Sequence, residues 1–306
     1  MNAADVPALS TQQLLYLRAA ARAATWTDAA AELGVTQSAL SQGIAELERR
    51  LGLELFERRG RRRVLSPAGQ EVLTMADGVL AQAADLGRVA DQLRHGTRGT
   101  YRLGLIDSAA VATCRPALAA ARELAGDSLH VIVDTSVPLT QAVQRGELDL
   151  AIVVGANAAL RSGGSGRAAE SSVTSTLIAE ESLVVVTPGS VNPEVAADPG
   201  RWGPWVMPPE GSTTRILIDE ALRTRGANPA TTLESSNPTV LLSMVALGLG
   251  WAALPAHMKA EGGARPGRTG GVVIGHELVR RPLVAVARTG APADPRTQAF
   301  LAAVDR

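Results

Sequence analysis

Small polar side chains cluster on one face of a predicted helix near the N-terminus. The helix spans residues 37–51, because its apolar positions recur at the spacing of a buried helical stripe: Leu40, Ile44, Leu47 and Leu51. The opposite face carries hydroxyl and amide groups: Gln37, Ser38, Ser41 and Gln42. Such groups can form hydrogen bonds with base edges in the major groove of DNA. The pattern suggests a base-reading helix, and a solvated helix of an ordinary helical domain is the alternative.

A second short helix precedes this one across a tight turn. Residues 27–33 are predicted to be helical with Thr27 as N-cap, and Gly34-Val35-Thr36 forms the turn, in which Thr36 caps the next helix. Two short helices joined by three or four residues that include a glycine form the helix-turn-helix pattern. The second helix of that pattern lies in the major groove of DNA.

An arginine-rich segment follows the two helices. Between residues 49 and 65 there are seven arginines and two glutamates, a net charge of +5 in a chain whose formal net charge is zero. Gly60 lies inside the cluster, where a hairpin tip would need it. A basic hairpin beside a helix-turn-helix typically contacts the phosphates of DNA. Such contacts position the protein on DNA but do not read the base sequence. We expect the following residues to contact DNA: Thr36, Gln37, Ser38, Ser41, Gln42, Arg58, Arg61, Arg62 and Arg63.

The residues of this region resemble those of a known family. The runs from Ala29 to Ile44 and from Leu47 to Arg58 look like the DNA-binding signature of LysR-type transcriptional regulators. Residues 65–69, Leu-Ser-Pro-Ala-Gly, match the start of that family's linker helix. The resemblance continues through nearly the whole chain. The chain departs from the family's usual residues at three positions: Trp26, Gln42 and Gly43.

The resemblance implies an α/β protein with three parts. Residues 1–66 would form a winged helix-turn-helix, residues 67–97 a linker and dimerisation helix with a hinge, and residues 98–306 an effector-binding domain. That domain would resemble periplasmic binding proteins, with one lobe at about 98–160 and 272–306 and the other at about 170–271. The implied partners are double-stranded DNA, a small-molecule effector, further copies of the chain in a dimer and a tetramer, and RNA polymerase.

A long amphipathic helix is predicted between residues 67 and 95. Ser66 and Pro67 are an N-cap and a proline at the first helical position. Its apolar positions advance by 21 residues in six steps, a mean of 3.5, which is the coiled-coil period: Val72, Met75, Val79, Ala83, Leu86, Ala90 and Leu93. The stripe would pack either on its own domain or on a partner chain, and its place between two domains favours the partner chain.

Strand and helix patterns alternate beyond residue 100, which indicates βαβ units and a parallel sheet. Strands are predicted at residues 101–106, 129–134, 150–154, 183–187, 205–207, 232–234, 250–254 and 283–287. Two segments rich in glycine or small residues, 155–172 and 262–271, are predicted to be loops at the crossovers between the lobes.

Ligands bind beyond the carboxyl ends of strands in open α/β sheets. The residues that follow the predicted strands are therefore candidates for the effector site: Ser108, Thr135, Ser136, Ser212, Thr213, Ser236 and Asn237. Several stand at predicted helix starts, which attract anions, so we expect a small anion such as a carboxylate. Arg215 is a candidate for an additional charged contact. Helix capping alone would also explain these residue types.

Composition and spacing argue against an enzyme. The four histidines lack metal-ligand spacing, no Gly-x-Ser-x-Gly elbow is present, and the pairs Glu147/Asp149 and Glu180/Glu181 are explained by solvation and capping. We predict no catalytic residue, metal or cofactor. An α/β enzyme, or a solute-binding protein, fused to a DNA-binding module is the alternative, whereas a DNA-bending architectural protein would need more positive charge.

Two further observations bear on location and redox chemistry. Cys114 is the only cysteine, which excludes an intrachain disulfide, and we expect it to be a small buried hydrophobe. The N-terminus has no apolar run behind a basic start, and no stretch approaches about 18 uninterrupted apolar residues. We therefore expect a cytoplasmic protein with no membrane span.

Overall fold

The computed structural model describes residues 8–60, 62–95, 99–155, 172–189, 198–259 and 272–304. Arg61, most of the predicted hinge and most of the two predicted loops lie outside these residues. The chain divides into two compact units, one formed mainly by Met1–Gly99 and the other mainly by residues after 99.

The N-terminal unit contains four helices and a hairpin: α1 (Thr11–Arg22), α2 (Trp26–Glu32), α3 (Gln37–Leu51), β1 (Phe56–Arg59), β2 (Arg62–Leu65) and α4 (Pro67–His95). The predicted bounds of α3 and the predicted start of α4 are confirmed. The Thr36 hydroxyl accepts from the N–H of Ala39 at 3.2 Å, as an N-cap does. Thr27 as the cap of α2 was wrong, because α2 starts earlier and the Thr25 hydroxyl accepts from the N–H of Asp28 at 3.1 Å.

Two contacts fix the hairpin against α3 and α4. The Glu48 carboxylate accepts from the backbone N–H groups of Leu55 and Phe56 at 2.8 and 3.2 Å, which sets the course of the chain into β1. The Ser66 hydroxyl accepts from the N–H of Gly69 at 2.9 Å and so caps α4. A side chain at Gly69 would lie 2.1 Å from the carbonyl oxygen of Leu55, so only glycine fits there. The sequence predicted the cap but not this close approach.

The second unit begins with alternating strands and helices: β3 (Tyr101–Leu105), a π-helical turn (Ala109–Thr113), α5 (Arg115–Ala125), β4 (Leu129–Val133), α6 (Ser136–Gln144) and β5 (Leu150–Val154). It continues with β6 (Val173–Pro188), β7 (Trp205–Met207), α7 (Thr213–Thr224), β8 (Thr231–Glu234), α8 (Pro238–Ala246), β9 (Ala252–Pro255), β10 (Val272–Arg288) and α9 (Pro295–Val304).

The sheet is mixed, which corrects the expected parallel sheet. Its strand order is β4-β3-β5-β10-β6-β9, with β7 and β8 as a separate parallel pair. Strand β3 runs parallel to β4 and β5, whereas β10 runs antiparallel to both β5 and β6. The long strands β6 and β10 therefore connect the two halves of the unit. Only their buried ends were predicted, because the first part of β6 is largely exposed and lacks an apolar pattern.

Two kinds of core hold the unit together. Aliphatic side chains of β3, β5 and the end of β10 pack with Tyr101 and Phe300 in one cluster, which defines the first lobe. In the second lobe three tryptophans pack together: Trp202 lies 5.8 Å from Trp205 and 5.7 Å from Trp251, between ring centroids. No helix within the described ranges is long and apolar enough to cross a membrane.

Candidate functional site

Helix α3 presents its polar face outward, as predicted. Leu40, Ile44 and Leu47 are fully buried on the inner side. The side chains of Gln37, Ser38 and Gln42 are exposed and that of Ser41 is half-buried. The Thr36 hydroxyl, besides capping the helix, lies 3.0 Å from that of Ser38. The outer face is therefore free to approach a base edge, while the inner face holds the helix on the domain.

A glycine inside α3 is explained by a neighbouring aromatic ring. A Cβ atom at Gly43 would lie 2.3 Å from the Tyr16 ring, which is buried against the helix. Glycine in a helix costs about 0.5–1 kcal/mol relative to alanine, and close packing of the tyrosine offsets that cost here. The sequence marked Gly43 as unusual, but its reason lies on another helix.

The hairpin β1–β2 gathers arginines at its tip. Arg58 pairs with Arg63 across the strands and Arg59 with Arg62, and Gly60 takes a positive φ of 65° in the turn. Like charges directly opposite each other on a hairpin are destabilising, so a bound anion would stabilise this arrangement. Of the predicted phosphate contacts Arg58, Arg62 and Arg63 are exposed at this tip, and Arg61 lies outside the described residues.

The arginines differ in the partners that they already have. Arg59 forms an ion pair with Glu57 at 2.8 Å. The Arg63 guanidinium lies over the Trp26 ring at 4.3 Å, a cation–π contact. The side chains of Arg58 and Arg62 form no ion pair or hydrogen bond with a described residue. These two charges are therefore available to phosphate.

Trp26 is the residue of this surface that the sequence did not predict. Its ring packs edge-on against Phe56 at 5.1 Å and supports Arg63 on its face. A tryptophan offers a stronger surface to a cation than a phenylalanine does. The substitution of Trp for the family's usual Phe was visible in the sequence, and the stacked arginine gives it a role.

Two arginines on α3 are held by a carboxylate. Glu46 binds the guanidinium groups of Arg49 and Arg50, each at 2.6 Å. Hydrogen bonds from Arg49 and then Arg50 lower the pKa of Glu46 to about 2. The positive charge counted between residues 49 and 65 is thus partly compensated on the helix and concentrated at the hairpin.

A cleft of about 480 Å³ lies in the second unit at the carboxyl ends of the strands. All seven residues predicted for the effector site line it: Ser108, Thr135, Ser136, Ser212, Thr213, Ser236 and Asn237. They come from both lobes, and the volume falls in the usual range for small-molecule sites, about 300–1,000 Å³.

Several of these side chains also cap helices or form hydrogen bonds to neighbouring strands. The Ser212 hydroxyl accepts from the N–H of Arg215 at 3.2 Å at the start of α7. The Asn237 side chain accepts from the N–H groups of Thr239 and Val240 at the start of α8. The Ser136 hydroxyl accepts from the N–H of Val154 at 3.0 Å. A hydroxyl used in this way keeps its proton for donation to a ligand.

A buried ion pair lies beside the cleft and corrects the interpretation of Glu181 as solvated. Arg281, on β10, binds the Glu181 carboxylate of β6 at 2.5 Å, and both side chains are less than 10% exposed. The guanidinium also donates to the hydroxyls of Ser108 and Thr214, each at 2.8 Å, and Ser108 donates to Glu181 at 2.9 Å. Of these four only Ser108 was predicted, and its hydroxyl is engaged within the network.

Arg215, a candidate for a charged contact, and Cys114, expected to be a buried hydrophobe, both lie outside the lining of the cleft. Arg215 pairs with Asp219 at 2.9 Å and Glu234 at 3.0 Å, and does not line the cleft. Burial raises the pKa of the Cys114 thiol to about 12, so this cysteine is an inert core residue. Among the residues that the structure describes, no group of three or more His, Cys, Asp or Glu could hold a metal ion.

Comparison with known sequences gives matches to both units. Residues 11–70 match the bacterial regulatory helix-turn-helix protein, lysR family, and residues 94–306 match the LysR substrate binding domain. The HTH-type transcriptional regulator cbl of Klebsiella aerogenes is 31% identical over 254 residues, 79% of this chain and 76% of that protein. The regulator CbbR of Rhodospirillum rubrum is 27% identical over 241 residues, 78% of this chain and 77% of that protein.

Solved structures with the same fold include two full-length proteins. A variant of OxyR from Pseudomonas aeruginosa gives a TM-score of 0.65 at 20% identity, covering 97% of this chain and 94% of that one. CbnR in complex with its target DNA gives a TM-score of 0.59 at 18% identity, covering 97% of this chain and 99% of that one. At these identities the likeness concerns the fold.

Proposed function

The chain belongs to the LysR family of DNA-binding transcriptional regulators, and from that premise we propose which of its residues contact DNA, which hold the effector and how it assembles. Its curated relatives are named as transcriptional regulators, so it is a regulator with an effector-binding domain rather than an enzyme. We keep residues 1–66, 67–97 and 98–306 as the three functional parts. A protein of this function would act beside the chromosome in the cytoplasm.

For DNA, we propose that α3 reads bases and the hairpin binds phosphate. Gln37, Ser38, Ser41 and Gln42 would face base edges, with Thr36 at the helix start. Arg58, Arg61, Arg62 and Arg63 would contact the backbone. The observation that supports this division most directly is the uncompensated charge of Arg58 and Arg62 at the hairpin tip.

We expect Arg62→Ala and Gln42→Ala to weaken operator binding in different ways. Each lost phosphate contact reduces the slope of log affinity against log salt by about 0.9, so Arg62→Ala should flatten the slope and weaken all sequences alike. Gln42→Ala should alter base preference and leave the slope unchanged. Fluorescence anisotropy over a salt series, with operator and scrambled duplexes, measures both effects.

Arg49→Ala provides the matched control, because Arg49 is exposed and already paired with Glu46. It should leave the slope close to that of the wild type. If Gln42→Ala changes only the slope, or if Arg49→Ala flattens it as much as Arg62→Ala, then the proposed division of roles is incorrect.

For the effector, we propose a small molecule with an anionic group, bound in the cleft between the lobes. Donors on both sides would hold that group: the free hydroxyl protons of Ser136, Ser212 and Thr213, together with Thr135, Ser236 and Asn237. Ser108 would contribute by holding Arg281 in place. Binding to both lobes would favour one arrangement of the domain, and an effector that prefers one state tenfold shifts the balance by about 1.4 kcal/mol.

We expect Ser136→Ala and Thr213→Ala to reduce effector affinity about tenfold each, since a hydrogen bond to a charged group contributes roughly 1.5–3 kcal/mol. A thermal-shift screen of the full-length chain against metabolite acids would find the ligand, and titration calorimetry would compare the variants. Thr224→Ala, at the far end of α7 and outside the cleft, is the control. A ligand that binds both cleft variants as tightly as the wild type would contradict this placement.

For assembly, we propose that the apolar stripe of α4 joins two chains into a dimer, which reads two half-sites. Val72, at the start of the stripe, packs on its own domain, but the later apolar positions are open to solvent in the single chain: Met75 is 73% exposed, Leu86 72% and Leu93 83%. Pairing of dimers into a tetramer and contact with RNA polymerase complete the proposal. The direction of regulation would follow from how the effector changes that assembly.

A further inference from the structure

The charged side chains that line the cleft are mostly negative. Three carboxylates line it, those of Asp107, Asp134 and Glu210, together with one guanidinium, that of Arg281. Arg281 is already neutralised by Glu181, which lies behind it at 2.5 Å. A simple anion that enters the cleft would therefore meet an excess of negative charge.

The three carboxylates lack positive partners within the described ranges. The Asp107 carboxylate forms no hydrogen bond or ion pair there, although the residue is half-buried. Asp134 accepts only from the backbone N–H and the hydroxyl of Thr135. Glu210 engages through its backbone N–H, while its carboxylate forms no ion pair. Each of these charges remains available to a ligand.

Each carboxylate also lies just before a helix start that faces the cleft. Asp107 precedes the turn Ala109–Thr113, Asp134 precedes α6 and Glu210 precedes α7. The positive end of a helix dipole favours such a carboxylate, so a purely structural role is the simplest alternative. The consequence for binding is the same in either case, because the helix ends that would attract an anion already face negative groups.

The amides at two of the helix starts are also occupied. Ser212 accepts from the N–H of Arg215, and Asn237 accepts from those of Thr239 and Val240. Besides the other backbone amides at the helix starts, an anionic group would meet a small set of hydroxyl protons and one guanidinium N–H. Arg281 has five N–H groups, of which four are used by Glu181, Ser108 and Thr214.

The three carboxylates do not form a metal site together. The three do not form a group that could hold a metal ion, and neither does any other set of three or more His, Cys, Asp or Glu among the described residues. They come from two lobes, with Asp107 and Asp134 after the adjacent strands β3 and β4 and Glu210 after β7. An organic cation with several N–H donors can reach carboxylates spread in this way.

We propose that the effector is a zwitterion of the amino-acid class, which carries a protonated amine or guanidine as well as a carboxylate. The proposal rests on the effector cleft assigned above and specifies what fills it. The cationic nitrogen faces Asp107, Asp134 and Glu210, while the carboxylate meets the hydroxyls of Ser136 and Thr213. The cleft thus selects against simple carboxylic acids by repulsion and for amino acids by ion pairing.

The test uses matched sets of three compounds on the full-length chain. Each set holds one of the common L-amino acids, the carboxylic acid that lacks its amino group and the amine that lacks its carboxylate. Thermal shift finds the sets that bind, and titration calorimetry gives the affinities. We expect at least one amino acid to bind roughly tenfold or more tightly than either of its two relatives, since each loses one charged contact.

Isosteric variants connect the preference to named residues. Asp107→Asn and Glu210→Gln should each weaken binding of the amino acid about tenfold and leave the affinity for the amine-free acid unchanged or improved. Glu220→Gln, an exposed carboxylate of α7 outside the cleft, is the control and should change neither. The proposal is overturned if no amino acid binds, or if every amine-free acid that binds does so as tightly as its amino acid.

The outcomes distinguish this inference from the effector site on which it rests. A simple carboxylate that binds and is lost in Thr213→Ala would keep the cleft as the site and overturn the zwitterion. An amino acid whose affinity is unchanged in Thr213→Ala, Ser136→Ala and Asp107→Asn would overturn both, because the binding site would then lie elsewhere.

Discussion

Arg281→Leu is expected to destabilise the effector-binding domain by about 3–5 kcal/mol, because the buried carboxylate of Glu181 loses its guanidinium partner. It then keeps one basic neighbour among the described residues, the His257 ring at 3.5 Å. The side chains of Arg281 and Glu181 are less than 10% exposed, and the guanidinium also satisfies the hydroxyls of Ser108 and Thr214. The double variant Arg281→Leu/Glu181→Leu should recover most of that loss, since a buried pair can often be replaced by apolar groups at little cost. Urea denaturation followed by circular dichroism measures the free energy of unfolding.

The neighbouring Arg280 offers a matched control on the same strand. Its side chain is 63% exposed and pairs with Glu277 at 3.0 Å. Exposed pairs contribute about 0–1 kcal/mol, so Arg280→Leu should have little effect. Equal losses for the two arginines, or a double variant less stable than Arg281→Leu alone, would show that the buried pair is not what holds this part of the domain.

Val79→Asp combined with Leu86→Asp is expected to convert the protein to monomers and to reduce operator affinity by about 10²–10⁴, the usual gain from joining two binding modules. Val79 is 47% and Leu86 72% exposed in the single chain. In a dimer joined along α4 the new carboxylates would be buried without partners, which costs several kcal/mol. Sedimentation velocity measures the assembly, and anisotropy measures operator binding.

Ala84→Asp is the control for the charge itself. Ala84 is exposed and lies roughly 160° around α4 from Leu86, so it is off the stripe. We expect this variant to remain a dimer with normal operator affinity. A double variant that stays dimeric, or an Ala84→Asp variant that dissociates to the same extent, would exclude the stripe as the main contact between chains.

Features set by neighbouring residues were predictable from sequence. The cap formed by Ser66 and Pro67, the bounds of α3 and the hairpin tip at Gly60 depend on a few adjacent side chains, and the structure has them as expected. The Thr27 cap failed by two positions because Thr25 offers the same chemistry at the true start of α2. The order of strands and helices followed from apolar periodicity in the same way.

Features set by residues far apart in the chain could not be predicted from the sequence. Glu181 and Arg281 are a hundred positions apart, and each resembles a surface charge until β6 and β10 pair. Gly43 is explained only by its contact with Tyr16 on another helix. The full length of β6 and β10 was not predicted, because their exposed parts lack alternating apolar and polar residues. The cleft was located by the rule for strand ends, but the sequence did not show that Arg281 lines it already paired with Glu181, which leaves the three carboxylates of the cleft uncompensated.

The distribution of the four tryptophans makes this chain its own optical reporter. Trp26 is the single indole of the N-terminal unit and lies under the guanidinium of Arg63, whereas Trp202, Trp205 and Trp251 stack in the second lobe. Tryptophan fluorescence therefore has two sources, one beside the proposed DNA-contacting hairpin and one in the effector-binding domain. Replacing Trp26 with phenylalanine would leave a spectrum that follows the second lobe alone, without any attached dye.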